Sequence, residues 1–283
     1  MFDTTINISN SKIQHGPKNN RIYLIHLQKE DMPKILDDLD SLANFYGYSK
    51  IFAKVPKASA KTFFEYGYIS EAKISRFFNG IEDCIFMAKY MDNKRNTEID
   101  KDLNRKVLDV ALSKKLENSF KNNSVDYNLP KEFSFKKAKP SDASKMAALY
   151  SKVFNSYPFP VSDPEYIKET MNDNVIYFGV WKGNDIVALS SCEMCLEDKN
   201  VEMTDFAVVP DYRGHKFAYF LLGEMEKEMR KREIKTAYTI ARSTSYGMNS
   251  TFAKCGYSFK GRLIKNTQIG GDIEDMNVWS KAL

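Results

Sequence analysis

The run from Glu202 to Leu222, EMTDFAVVPDYRGHKFAYFLL, constrains the fold more than any other part of the chain. Thr204, Phe206, Val208 and Val209 favour extended backbone and are stopped by Pro210 and Asp211. Beyond a short Arg-Gly loop, Phe217, Phe220, Leu221, Met225 and Met229 recur three and four residues apart, the apolar face of a helix over 214–232. A strand that feeds a helix through so short a loop aims free N–H groups and a positive dipole end at one spot. That spot suits a phosphate or pyrophosphate, and Arg213 adds a cation beside it. Taken alone, an Arg-Gly turn is more often plain solvated surface, so its surroundings decide.

Those surroundings are an ordered alternation of strands and helices. FSFKKAK (133–139) predicts a strand, followed by a helix capped by Ser141 with Met146, Leu149, Val153 and Phe154 on its apolar side. A Pro-rich loop then enters a second helix through Asp163 and Pro164. VIYFGVW and DIVALSSCEM form a hairpin through Lys-Gly-Asn, ahead of the strand at 200–209. After the helix at 214–232 come a strand at 236–242, a helix at 244–255 ended by Gly256, and two strands around Gly270-Gly271.

The first half echoes the back of this series. RIYLIHL (21–27), a helix at 30–46 and KIFAKVP repeat strand, helix, strand; AKTFFEYGY (60–68) parallels NSTFAKCGY (249–257), and CIFMAKY (84–90) parallels MNVWSKAL (276–283). Residues 97–121 predict a helix with Ile99, Leu103, Val107, Ala111 and Phe120 on one stripe, and NNSVDYNLP (122–130) a linker. The expected organisation is α/β, with boundaries at 1–92, 93–131 and 132–283.

A length of 283 residues, 43% hydrophobic and 28% charged, is ample for two cores. The net charge of +5 is spread evenly, leaving no footprint for nucleic acid. No apolar run approaches a membrane span and the N-terminus lacks a signal-peptide core, so a cytoplasmic protein is expected. Cys192 and Cys195 form a C-x-x-C inside a strand, where residues three apart face opposite ways, and no histidine has ligand spacing to them. Cys84, Cys192, Cys195 and Cys255 therefore read as buried free thiols, and no metal is expected.

The strand ending near Val-x-Pro, Arg213, Gly214 and Ala218 resemble the acetyl-CoA loop of the GNAT superfamily, Arg/Gln-x-x-Gly-x-Gly/Ala, with Lys216 where that family has its middle glycine. The element order over about 150 residues resembles the same family. The resemblance implies a GNAT (acyl-CoA N-acyltransferase) fold with a mixed twisted sheet, preceded by a smaller partial GNAT-like domain. Gln28-Lys29-Glu30-Asp31 stands where that first copy would need its loop, so it should bind no coenzyme A. The implied coenzyme contacts are Phe206, Ala207 and Val208 along the strand, Arg213, Gly214, His215, Lys216, Phe217 and Ala218 at the loop, and Asn249 and Phe252 on the last helix. Lys216 is expected in the first helical turn, and His215 is read as solvent-facing. A bulge in the strand would aim one N–H at the thioester oxygen.

An amine acceptor with a pKa near ~10.4 is almost wholly protonated at neutral pH, so a base is required. The resemblance puts Glu202 in that role, with Asp205 as the second candidate. Phe252 stands where many members carry a tyrosine that protonates the leaving thiolate, leaving Tyr246 or solvent.

YPFPVSDPEY, TIARSTSYGMNSTF, NTQIGGDIEDMNVW, IQHGPKNNRIYL and FFNGIEDCIFMAKY are similar to the β-lysine N-epsilon-acetyltransferase family over essentially the whole chain. That implies acetyl-CoA and L-β-lysine as substrates and N-epsilon-acetyl-β-lysine, a compatible solute, as product. A zwitterionic diamine needs an anion for its β-ammonium and a cation or amide donors for its carboxylate. Asp205, Glu274 and Asp275 are the candidate anions, and Arg242 and Lys265 the candidate cations. Tyr157, Tyr246, Asn249 and Asn266 are candidates to orient the substrate. An acetyltransferase for another small amine or a protein lysine, and a non-catalytic scaffold, are the alternatives; a homodimer is compatible with any of them.

Overall fold

The computed structural model describes residues 2–120 and 128–283. The linker expected at 122–130 falls mostly outside them, as does the side chain of Phe120. The chain opens with a hairpin, β1 (Thr4–Ile8) and β2 (Ser11–Gly16), that no sequence pattern above announces. β3 (Arg21–His26), α1 (Lys34–Tyr46), β4 (Lys50–Pro56), α2 (Ala60–Glu65), β5 (Ile69–Phe78), β6 (Glu82–Tyr90) and α3 (Lys101–Phe120) complete the first part. The second runs β7 (Phe133–Lys137), α4 (Ala143–Val153), α5 (Pro164–Asp173), β8 (Val175–Lys182), β9 (Asp185–Cys195), β10 (Asn200–Val208), α6 (Phe217–Lys231), β11 (Thr236–Arg242), α7 (Tyr246–Lys254), β12 (Ser258–Ile269) and β13 (Asp272–Ala282).

Among the described residues thirteen strands join in one sheet, ordered β1-β2-β3-β4-β6-β5-β12-β13-β11-β10-β9-β8-β7. Outward from the β5–β12 seam the two sides follow the same plan: a hairpin, then a parallel pair, then antiparallel neighbours. The echo therefore extends further forward than the sequence indicates, since β1 and β2 occupy the places of β8 and β9. The seam depends on Gly261, whose Cα partners Ala72. Its φ is +150°, and a Cβ there would stand 2.1 Å from the Glu71 carbonyl oxygen, so glycine alone fits. Beside it a buried Lys50–Glu71 ion pair of 2.8 Å is shared across the seam: Lys50 donates to the Ile264 carbonyl, and Glu71 accepts from the Ile264 amide and the Tyr90 hydroxyl. Those neutral partners offset the cost of burying both charges.

Four apolar clusters pack against the sheet. α1 and α2 cover the outer face of the first half. α6 and α7 cover one face of β8–β11 and β13, with Val201 and Met203 beneath them. α4 and α5 cover the far end of the opposite face. Phe52, Ile74, Phe77 and Phe86 meet Tyr238, Leu263, Met276 and Val278 in the fourth, so the inner faces of the two halves lie against each other.

Several boundaries differ from the sequence reading. α1 begins at Lys34 because Lys29–Asp31 form only a 3-10 turn and Pro33 has no N–H to continue it. Ser141 is not the cap of α4: a 3-10 turn over Pro140–Asp142 precedes the helix, and the Asp142 carboxylate accepts from the Lys139 amide at 2.9 Å. Asp163 does cap α5, accepting from Glu165. On α3, Val107 and Ala111 are buried, but Ile99 precedes the helix and is exposed. Among the described residues no helix is long and apolar enough to cross a membrane.

Candidate active site

β10 and β11 pair in parallel only from Asn200–Thr236 to Glu202–Tyr238; beyond that they diverge. The register of β10 against β9 then slips between Thr204 and Ala207, and Asp205 sits at φ +55°. This is a β-bulge, and it exchanges the two faces of the strand. Val201 and Met203 face α6 before it, Phe206 after it, while Ala207 and Val209 turn to the α4 side. The edge of β10 from Thr204 to Val208 thus opens into a split with its backbone unpaired on the β11 side.

α6 starts at Phe217, later than the expected 214, and has no side-chain cap. Gly214 has φ +87° with nothing within 4 Å of where a Cβ would stand. Lys216 is not in the first helical turn. It is the residue before the helix, at φ +58° and ψ +22°, a left-handed conformation in which a glycine is unstrained. The family's middle glycine thus has a conformational reason that Lys216 must meet with a side chain. Lys216→Gly is expected to leave stability unchanged or raise it by up to about 1 kcal/mol, whereas Lys216→Val should lower it by more than about 1 kcal/mol. Urea midpoints of the two variants check this, and equal midpoints would show that no strain resides there.

A cavity of about 980 Å³ runs from this loop through the split. Arg213, Gly214, Lys216, Phe217 and Ala218 line one end; Phe206, Val208 and Phe252 line the middle; Asp205, Tyr157 and Arg242 line the other. The structure thus brings most of the sequence-predicted residues to one channel. Lys114 and Lys254 line it as well, from α3 and α7, which no local motif indicates.

Other expected residues stand elsewhere. Ala207 is buried beneath α4, and His215 is exposed, its ring 3.1 Å from the Tyr212 carbonyl. Tyr246 is 45% exposed and outside the cavity lining, so it is not placed to protonate a leaving thiolate. Asn249 is fully buried and spent on the scaffold: its amide donates to the Arg242 and Ser245 carbonyls and accepts from Asn277 and Trp279. With both donors and its oxygen engaged, it positions α7 and has nothing left for a ligand. Asn266 is buried against the first half, where its carbonyl accepts from Arg21. Glu274 is paired with Arg242 at 2.6 Å, so it holds that guanidinium and does not line the channel. Asp275 is buried and accepts from the Lys265 amide and from Ile99 and Asn104, which ties the α3 segment to β13. The Lys265 ammonium donates to the Lys94 carbonyl, away from the channel.

The acceptor end carries the electrostatics. Asp205 accepts hydrogen bonds of 2.5 Å from both Tyr157 and Ser191, and burial raises its pKa while those bonds hold it back. One hydrogen bond to each oxygen fixes its orientation and leaves acceptor sites open, which suits an anchor for an ammonium group. Glu202 is the opposite case: half-buried on β10, two residues before the lining residue Thr204, it does not itself line the channel. Burial and the neighbouring Glu193 push its pKa up to about 8, against the pull of Lys54 and a hydrogen bond from Tyr238. A carboxylate poised near the working pH is what proton abstraction from an ammonium requires.

The thiols are less uniform than expected. Cys84 and Cys192 are buried, whereas Cys195 and Cys255 are half-buried. The fold also brings His26 to Cys195 and Asp198, their donor atoms within 4.8 Å of one another, a meeting that sequence spacing does not show. Burial raises the Cys195 pKa to about 11, so its thiol is a hydrogen-bond donor to Asp198, at 3.3 Å.

A split parallel pair, a bulge at its mouth and a glycine-containing loop opening a helix define an acyl-CoA-dependent N-acetyltransferase. The chain belongs to the GNAT acetyltransferase family, whose Acetyltransferase (GNAT) domain matches residues 146–257. It is 41% identical over 280 residues, 99% of each chain, to a protein of Methanococcus maripaludis named Beta-lysine N(6)-acetyltransferase. A protein of the same name from Methanosarcina mazei is 33% identical over 264 residues, covering 88% of this chain and 97% of that one. Among solved structures, the ribosomal L7/L12 alpha-N-protein acetyltransferase in complex with coenzyme A is 12% identical with a TM-score of 0.47, over 55% of this chain and 97% of that one. The enzyme is an acetyltransferase that uses acetyl-CoA, and the scaffold alternative falls.

Proposed function

We propose that the chain transfers the acetyl group of acetyl-CoA to the ε-amine of L-β-lysine, giving N-epsilon-acetyl-β-lysine, and that this product serves as a compatible solute in osmoadaptation. Likeness to the two full-length relatives named for this activity supports the acceptor. The observation that carries the chemistry is a channel with Asp205 at one end and a phosphate cradle at the other, with Glu202, its pKa pushed up to about 8, on the same strand two residues before the lining residue Thr204.

The residues present fit the coenzyme. Arg213 and the uncapped first amides of α6 would hold the pyrophosphate, with open space beside Gly214 for close approach. The unpaired edge of β10 at Phe206 to Val208 would pair with the pantetheine arm as an added strand. Bound there, acetyl-CoA supplies an activated acyl thioester. Asp205, fixed by Tyr157 and Ser191, holds an ammonium of the substrate. Glu202 accepts the proton that makes the ε-amine a nucleophile. The amide exposed by the bulge donates to the oxygen on which charge develops. Phe252, buried against Phe206 with ring centres 5.6 Å apart, offers no proton, so the thiolate departs without an acid from that position.

An amine panel tests the acceptor. The purified protein should show a kcat/KM for β-lysine well above those for α-lysine, spermidine and lysine peptides. Equal turnover of α-lysine or a peptide would reassign it to a broader amine acetyltransferase.

A further inference from the structure

Glu202 is not enclosed by the second half alone. From the facing half, β3 and β4 bring Tyr23 and Lys54 against Tyr238. The Lys54 ammonium lies 3.4 Å from the Tyr238 hydroxyl oxygen, 5.5 Å from the centre of the Tyr23 ring and 5.7 Å from that of Tyr238. Tyr238 is the register partner of Glu202 across the parallel pair, so the two side chains are neighbours on one face of the sheet. The charged and titratable groups facing Glu202 are therefore Glu193 from β9, Asp205 from its own strand, Tyr238 from β11, Tyr23 and Arg21 from β3, and Lys54 from β4. Glu193 and Asp205 are anions that oppose its ionisation. Arg21 is committed elsewhere, donating to the Asn266 carbonyl and the Thr267 hydroxyl. Lys54 is the cation that reaches Tyr238, the residue beside Glu202, donating to its hydroxyl.

We propose that Lys54 is a positioning residue for the acetyl transfer: through Tyr238 it keeps the Glu202 carboxylate available to accept a proton, so that the half without a coenzyme loop completes the active site. The proposal rests on the reading of Glu202 as the base. A carboxylate taken out of water beside a second carboxylate holds its proton, and a nearby ammonium favours the ionised form. The Lys54–Tyr238 hydrogen bond sets the ammonium beside the register partner of Glu202, and away from bulk water its charge is felt more strongly than it would be in solvent. Lys54 itself stays charged: burial, which alone would lower its pKa, is outweighed by Tyr23, Glu202 and Glu193. The device also accounts for a chain of this family carrying a half whose own strand-to-helix junction is Gln28-Lys29-Glu30-Asp31.

The test uses the full-length protein with Lys54→Met, which keeps length and loses charge, and Lys54→Arg, which restores charge. The Glu202 carboxyl is titrated by infrared difference spectroscopy against Glu202→Gln, a readout that needs neither turnover nor β-lysine. In Lys54→Met the Glu202 titration should move up by at least about one pH unit, and kcat/KM at pH 7 with the best amine of the panel should fall about tenfold. Acetyl-CoA affinity should stay at the wild-type value, and Lys54→Arg should recover the profile. An unmoved Glu202 titration in folded Lys54→Met overturns the proposal. Should circular dichroism show that variant unfolded, Tyr238→Phe decides, since it removes only the connecting hydroxyl and must shift the titration the same way. A fully active Glu202→Gln would sink the base assignment while leaving the effect of Lys54 on the titration legible.

Discussion

Glu202→Gln is expected to lower kcat/KM for the amine by about two to four orders of magnitude while raising the melting temperature at neutral pH. The two effects share one cause. In the folded protein the pKa of Glu202 stands near 8, raised from an ordinary 4.5 by burial and by Glu193. The base works as the carboxylate, so wild-type kcat/KM should climb with pH through that value, and the climb should vanish in the variant. A separate rise toward the amine's own pKa of about 10.4 should survive in both and serves as an internal control. For stability the sign runs the other way. Below pH 4.5 the carboxyl is protonated in both folded and unfolded chains and contributes no difference. Between 4.5 and about 8 the unfolded chain releases the proton while the folded one keeps it, so the native state loses ground as pH rises. Glutamine removes that loss, and the gain in melting temperature should therefore grow across this window and level off above it. A variant less stable than wild type at pH 8 would show that the carboxylate is held by partners that outweigh burial.

The strand, loop and helix at 202–222 are legible because each carries a local signal: β-branched residues, Pro210, and apolar spacing of three and four. The element order is legible for the same reason. Lys216 escapes correct placement because helix periodicity cannot tell the last loop residue from the first helical one, and its left-handed φ of +58° leaves no mark on a non-glycine residue. Asn249 and Tyr246 show another limit. A helix face can be read from spacing, but whether a side chain points into a channel, into the scaffold or into water depends on what packs over it. The contribution of Lys54 and Tyr23 is invisible from sequence, since they lie more than 140 residues before Glu202. They reach it because Gly261 lets β12 join β5, turning the inner face of one half toward the other.

Arg213→Glu is expected to raise the KM for acetyl-CoA by about 30- to 100-fold with little change in kcat. Arg213 is exposed at the mouth of the channel, next to the left-handed Gly214 and the uncapped start of α6. Removing a cation and adding an anion changes the local charge by two beside a doubly charged pyrophosphate. At about 4 Å in high dielectric each unit pair is worth roughly 1 kcal/mol, and screening trims the sum to about 2–3 kcal/mol. The contact is made far from the reacting atoms and is the same before and during transfer, so it affects binding and not the chemical step. The helix amides remain, which is why binding should weaken and not disappear. Because the site is open to solvent, the wild-type advantage should shrink as salt rises, and the two KM values should converge toward each other between low salt and about 1 M. A KM unchanged at low salt would mean that the phosphates rest elsewhere, with Lys114 and Lys254 across the channel as the next cations to vary.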